Sequence, residues 1–155
     1  MKKYLTKFVF LACMFAAGSC DHNESDEGDY FAFGIYAGFC LKDCAYLYVI
    51  KNNTLFEHVN FKFPPQKSVL EDLQKRSQDE YERVKNLPSL LPSAILNEEN
   101  TTIGCPDCAD QGGYYIEIHS RGETRHWQLD TNTNYLPEYL RPFADSLDIK
   151  LSSLR

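Results

Sequence analysis

The apolar and polar positions divide the chain into a leader, a polar stretch and a longer region of alternating and helical periodicities. Residues Phe8 to Ala17 carry no charge, follow a start rich in lysine (Lys2, Lys3, Lys7) and precede small residues ahead of Cys20. That charged, apolar, small-residue order is the order of a secretory signal. An α-helix needs roughly 20 residues to cross a bilayer, and Phe8 to Ser19 is far shorter, so residues 1–19 are expected to be a removable signal peptide. From Asp21 to Asp29 the chain is polar and acidic with no large apolar side chain to bury, which predicts a flexible acidic tether over residues 20–29.

From Tyr30 to Phe39 the pattern alternates, with Phe31, Phe33, Ile35, Ala37 and Phe39 on one face, and predicts a strand. Ala45 to Lys51 and Thr54 to Phe63 predict two further strands joined at Asn52-Asn53, a pair suited to the left-handed conformations of a tight turn. That register sets Ile50 opposite Leu55, Tyr48 opposite Glu57, Val49 opposite Phe56, Tyr46 opposite Val59 and Leu47 opposite His58, with enough apolar residues on both faces for both to be covered. Ser68 and Glu71 have capping-box spacing ahead of Val69, Leu70, Leu73, Tyr81 and Val84, predicting a helix from Ser68 to about Asn86. Pro88 and Pro92 interrupt the chain, and Ser93 to Asn97 predicts one helical turn.

A second hairpin is expected from Gly113 to Ser120 and Glu123 to Asp130 around Arg121-Gly122, pairing Ile116 with Trp127, Tyr114 with Leu129 and Glu117 with His126. The first two pairs define a core face, and the third a solvated one. Leu136, Leu140, Phe143 and Leu147 mark one face of a terminal helix whose regular part starts near Pro142. The order of strands and helices lacks regular βαβ alternation, so the expected fold is α+β: a small antiparallel sheet formed by two hairpin regions with packed helices, in a single domain over residues 30–155.

Charge narrows the partners. The chain has a net charge of −6, and three of its sixteen basic residues lie in the signal, so the processed chain of 136 residues carries −9. That balance argues against nucleic acid or an anionic lipid surface. Ten Tyr and ten Phe reinforce the expectation of a β-rich core.

Six cysteines add chemistry. Ala17-Gly18-Ser19-Cys20 resembles the lipobox of bacterial lipoproteins, which implies lipidation at Cys20, with Cys13 as the rival cleavage position. The acidic residues after Cys20 resemble the export signal of surface-displayed lipoproteins in Bacteroidetes-like bacteria. Acyl chains contribute about 0.8 kcal/mol per buried methylene, and several together anchor effectively permanently. Cys40, Cys44, Cys105 and Cys108 remain for the domain, an even number in a compartment where disulfides persist. Two disulfides are therefore expected; the three connectivities stay open, with bridges between the clusters preferred because loops of about 60 residues stabilise by about 4 kcal/mol each under the chain-entropy model. The alternative is zinc, held by the thiolates of Cys40, Cys44, Cys105 and Cys108, or thiol-redox chemistry through Cys105-Pro106-Asp107-Cys108. Phe33 to Cys40 with Cys44, together with Cys105 to Gly113, resemble an uncharacterised family of small bacterial lipoproteins. The resemblance implies that the two clusters belong to one recurring module, and it supplies no catalytic residues.

Other candidates read as structure. His119 and His126, with Glu117 opposite the latter, suit a solvent-facing strand pair better than a metal or acid-base site. Asp107 and Asp110 suit turn chemistry better than calcium, because their spacing does not match an EF-hand. No nucleophile, phosphate-loop or metalloprotease motif occurs. The expected function is that of a lipid-anchored cell-envelope protein, at the outer membrane on its periplasmic or surface face. It is expected to be a non-enzymatic binding or structural module without cofactor, for an envelope protein or glycan, with Tyr36, Tyr46, Tyr48 and Tyr115 as a candidate aromatic recognition surface.

Overall fold

The computed structural model describes residues 28–37 and 45–155; the expected signal over 1–19, Cys20, the expected tether as far as residue 27, and Cys40 and Cys44 lie outside the described residues. Seven strands form one sheet: β1 (Tyr30–Tyr36), β2 (Ala45–Lys51), β3 (Thr54–His58), β4 (Leu73–Lys75), β5 (Thr102–Ile103), β6 (Gly113–Ser120) and β7 (Glu123–Asp130). Their order is β4-β3-β2-β1-β6-β7-β5. All neighbours are antiparallel except β5, which runs parallel to β7. The α+β class and single described domain agree with the sequence, but the sheet is larger than two hairpins. β1 pairs with β2 on one side and β6 on the other and fuses both hairpins into one layer.

Both turns form as the residues demand. Asn52 and Asn53 have φ of 49° and 55°, and Arg121 and Gly122 of 56° and 80°, all left-handed. Ile50–Leu55, Tyr48–Glu57, Val49–Phe56, Ile116–Trp127, Tyr114–Leu129 and Glu117–His126 are in the expected register. β3 ends at His58, five residues earlier than expected, so the ladder stops short of Val59.

The helix expected to begin at Ser68 begins instead at α1 (Gln78–Val84), and the capping box is Ser77 with Glu80. Ser68 forms only a turn, its Oγ accepting from the backbone N–H of Leu70. Asp72 adopts φ of 49° and the chain then pairs as β4 with β3, setting Leu73 opposite His58. Val69, Leu70 and Leu73 pack on one face of the sheet, whereas Tyr81 and Val84 pack on the other. One continuous helix cannot serve both faces, so the segment crosses the sheet edge and starts its helix afterwards. Arg76 donates to Glu57 and Glu80 and, with Ser77, holds the Glu80 carboxyl down to about 2. That contribution is present above the ordinary carboxylate value and is lost as pH falls towards 2. Ser77→Ala is expected to cost about 1 kcal/mol, and Ser68→Ala to leave the urea midpoint unchanged; equal losses would contradict this assignment of the cap.

After α2 (Leu87–Leu90), Ser93–Asn97 forms the expected turn as a 3-10 helix. The chain ends in α3 (Arg141–Ser152), whose first turn holds Pro142, where the missing N–H would have had no helical partner. Helices cover the face bearing Phe31, Phe33, Ile116 and Trp127, with Leu140, Phe143 and Leu147 buried against it. The opposite face carries a second buried cluster of Tyr30, Ala32, Tyr36, Leu47, Val49 and Tyr115, packed against Phe61, Phe63 and Val69 from the segment between β3 and β4.

Candidate functional site

Two groupings of polar side chains stand out, one inside the second cluster and one at the end of the sheet. Inside, Glu117 is buried and accepts from the hydroxyl of Tyr30 at 2.8 Å and from that of Tyr115. His119 stacks on Tyr30 and His126 on Tyr115, with ring centroids 5.2 and 6.1 Å apart. The expectation that this face is solvated is therefore corrected at Glu117 and Tyr115: Phe61 and Phe63 pack over Tyr115 and exclude water. His126 is exposed, and His119 has its Nδ1 beside the hydroxyl of Thr124 at 2.8 Å. The geometry is that of a satisfied polar core.

At the end of the sheet where β6 begins and β7 ends, residues 104–112 form a tightly tied loop. Cys105 and Cys108 are joined by a disulfide, with Cα atoms 5.5 Å apart. The preferred pairing between clusters is thereby corrected for these two cysteines: the bridge is local. Pro106 and Asp107 occupy the centre of a β-turn closed by the bond from Cys108 N–H to the Cys105 carbonyl, and Asp107 has φ of 61°. A proline in the second position presets that turn and brings the two sulfurs together, so no long loop is needed. The local bridge contributes about 2 kcal/mol by loop entropy, against about 4 for a long one.

Carboxylates and an amide complete the ties. Asp130, fully buried, accepts from the N–H of Cys105 and of Asn132, each at 2.8 Å. Asp107 accepts from Gly112 N–H at 2.9 Å, and Gln111 bridges Ala109 N–H and the Cys105 carbonyl. Gly112 has φ of 78°, and a Cβ there would lie 2.0 Å from the Tyr36 carbonyl oxygen, so only glycine permits the loop to dock on β1. Asp107 and Asp110 serve turns, as their residue type suggested. Among the described residues no group of three or more His, Cys, Asp or Glu is placed to hold a metal. Two sulfurs bonded to each other supply no thiolate to zinc. Nor does Cys105 start a helix, the position of the attacking cysteine in thiol-disulfide oxidoreductases: Ala109 to Gln111 continues as loop.

An open cleft adjoins this loop. One lobe, about 670 Å³, is lined by Cys105, Cys108, Gln111, Asn132 and Tyr135. The other, about 530 Å³, is lined by Ile35, Tyr114, Asp145, Asp148 and Ile149. Gln111 and Thr131 line both lobes. Tyr135 is 64% and Ile149 70% exposed, the two most exposed large apolar side chains among the described residues. Sequence reasoning missed Tyr135; its signal is an aromatic ring in the polar run Thr131-Asn132-Thr133-Asn134, with no periodic partner to pack on. The aromatic surface that was expected does not form, because Tyr36, Tyr48 and Tyr115 are buried and Tyr46 is half-buried beneath the Arg155 guanidinium.

Burial makes the tyrosines an alkaline liability. Burial, then the negative charges of Asp107 and Asp130, push the Tyr36 hydroxyl up to about 12, and burial also raises Tyr115. The folded protein thus holds these protons more tightly than the unfolded chain, whose tyrosines ionise near the ordinary value of about 10. The stabilisation is complete below pH 10 and is lost as pH rises towards 12. The urea midpoint is expected to hold up to about pH 10 and to fall as pH rises from there towards 12; a flat profile would contradict it.

No protein family matches the chain, and no curated protein shows significant similarity to it.

Proposed function

We propose that the chain is a lipid-anchored cell-envelope protein, held at the outer membrane by acyl groups on Cys20, whose domain is a non-enzymatic binding module. The observation that carries this reading is the opposition of the two ends of the sheet. The chain enters β1 beside the Arg121–Gly122 turn, where Asp29 accepts from Arg121 N–H and the Ser120 hydroxyl. Tyr30 pairs with His119 there, and Tyr36 pairs with Gly113 at the other end, next to the disulfide loop and cleft. At about 3.3 Å per residue, β1 separates the two ends by about 20 Å. A domain anchored through residue 20 then presents the tied loop and cleft away from the membrane, the arrangement that favours capture of a partner.

The test is the intact mass of envelope-purified full-length protein, denatured with an alkylating agent and no reductant. Acylation at Cys20 and no alkyl group on Cys40, Cys44, Cys105 or Cys108 are expected. Four alkyl groups would replace this reading with the zinc or thiol-redox alternative, and an unacylated, soluble protein would remove the anchor.

A further inference from the structure

We infer that the cleft between the disulfide loop and α3 is a carbohydrate-binding site for neutral or amino sugars; this rests on the binding-module reading above and names its ligand class. Four observations converge. First, the cleft is open and two-lobed, and each lobe lies within the roughly 300–1,000 Å³ range of small-molecule sites. Two neighbouring lobes that share Gln111 and Thr131 in their walls fit successive rings of an oligosaccharide better than one compact ligand. Second, Tyr135 projects an exposed ring into the wall of one lobe. An exposed, amphipathic ring offers a flat apolar face for the C–H side of a pyranose and a hydroxyl for its rim.

Third, the polar lining is amide, hydroxyl and carboxylate: Gln111, Thr131 and Asn132 with Asp145 and Asp148. Sugar hydroxyls donate and accept at once, and carboxylates and amides match them in both directions. Asp148 already accepts from the Tyr114 hydroxyl at 3.1 Å, which fixes that carboxylate at the cleft. Fourth, among the described residues no lysine, arginine or histidine lines either lobe. With a net charge of −6 for the chain, the site repels phosphate, uronate and sulfated ligands and accepts neutral or cationic ones. A protein partner is less well served, since stable interfaces bury about 800 Å² on each side around clustered apolar anchors, and here Tyr135 and Ile149 are the only strongly exposed anchors lining the cleft among the described residues.

The loop's ties give the site its rigidity. The disulfide, Asp130 and Asp107 hold one wall before any ligand arrives, which lowers the ordering cost of binding.

The experiment places the detergent-solubilised full chain on an array of neutral, amino and acidic oligosaccharides, then titrates the best binder by calorimetry. Binding of neutral or amino members is expected, weakened about 10-fold or more by Tyr135→Ala, retained by Tyr135→Phe, and weakened several-fold by Asp145→Asn. Tyr135 is largely exposed, so its variants should keep the wild-type urea midpoint, which is measured alongside. Binding confined to acidic sugars, or binding untouched by Tyr135→Ala, would overturn the inference. A photo-crosslinker at position 135 in intact cells separates the two levels of argument. Capture of a defined protein, with no sugar bound on the array, overturns the carbohydrate assignment but leaves a binding module standing. No capture, no sugar and a protein absent from the envelope fraction overturn both.

Discussion

Trp127→Ala is expected to lower the stability of the domain by about 3–5 kcal/mol, the range for deleting a large aromatic side chain from a core. Trp127 is 1% exposed, lies at the middle of β7 opposite Ile116 and packs in the main cluster with Phe33, Phe143 and Leu147. The Arg125 guanidinium sits 5.3 Å from its ring centroid, while Arg125 also donates to the backbone carbonyls of Leu96 and Glu98. Removing the indole therefore opens a cavity under the helices and also loosens the segment that leads into β5. Urea unfolding followed by tyrosine fluorescence and by circular dichroism checks it. A loss below about 1 kcal/mol would mean that the two layers close over the gap, which close-packed interiors rarely do.

Glu117→Leu is expected to cost about 2–6 kcal/mol, although it replaces a buried acid with an apolar residue of similar size. The reason is asymmetry: leaving a buried donor without its acceptor costs about 1–3 kcal/mol per group, and Glu117 serves both Tyr30 and Tyr115. The triple variant Glu117→Leu with Tyr30→Phe and Tyr115→Phe removes donors and acceptor together and is expected to recover most of the loss. A double-mutant cycle on urea midpoints measures the coupling. If the triple variant were no more stable than Glu117→Leu, the two hydroxyls would not be the cause.

These two residues sit on opposite strand faces, and they mark how far the pattern along the chain could be read. Trp127 was legible as core because it alternates with Leu129 and pairs with Ile116 across a turn whose residues fix the register. Glu117 was legible as polar and as opposite His126, but its burial was not, since alternation assigns a face without saying what covers it. The cover comes from Phe61, Phe63 and Val69, in a stretch broken by Pro64 and Pro65 that forms no regular element. The candidate site divides the same way: Asp107 and Asp110 announced turns and Cys105 and Cys108 a disulfide, while Tyr135, in the short 3-10 turn that follows β7, and Asp148, on α3, come to the cleft only through the tertiary fold.

The sequence alone determined the local elements whose signals are short-ranged: both hairpins through Asn52-Asn53 and Arg121-Gly122, the terminal helix through its apolar spacing and Pro142, and the class of fold. Tertiary structure decided the rest. Val69 to Val84 has one helical rhythm, yet its first apolar residues fill one side of the sheet and its last the other, so the helix starts at Gln78 and β4 forms where the chain rounds the edge. β5, only two residues long, exists because β7 supplies its partner at that place, the Gln128 N–H donating to the carbonyl of Thr101 just ahead of it. Periodicity records which residues must leave water; it does not record which surface receives them, because that depends on contacts between segments far apart in the chain.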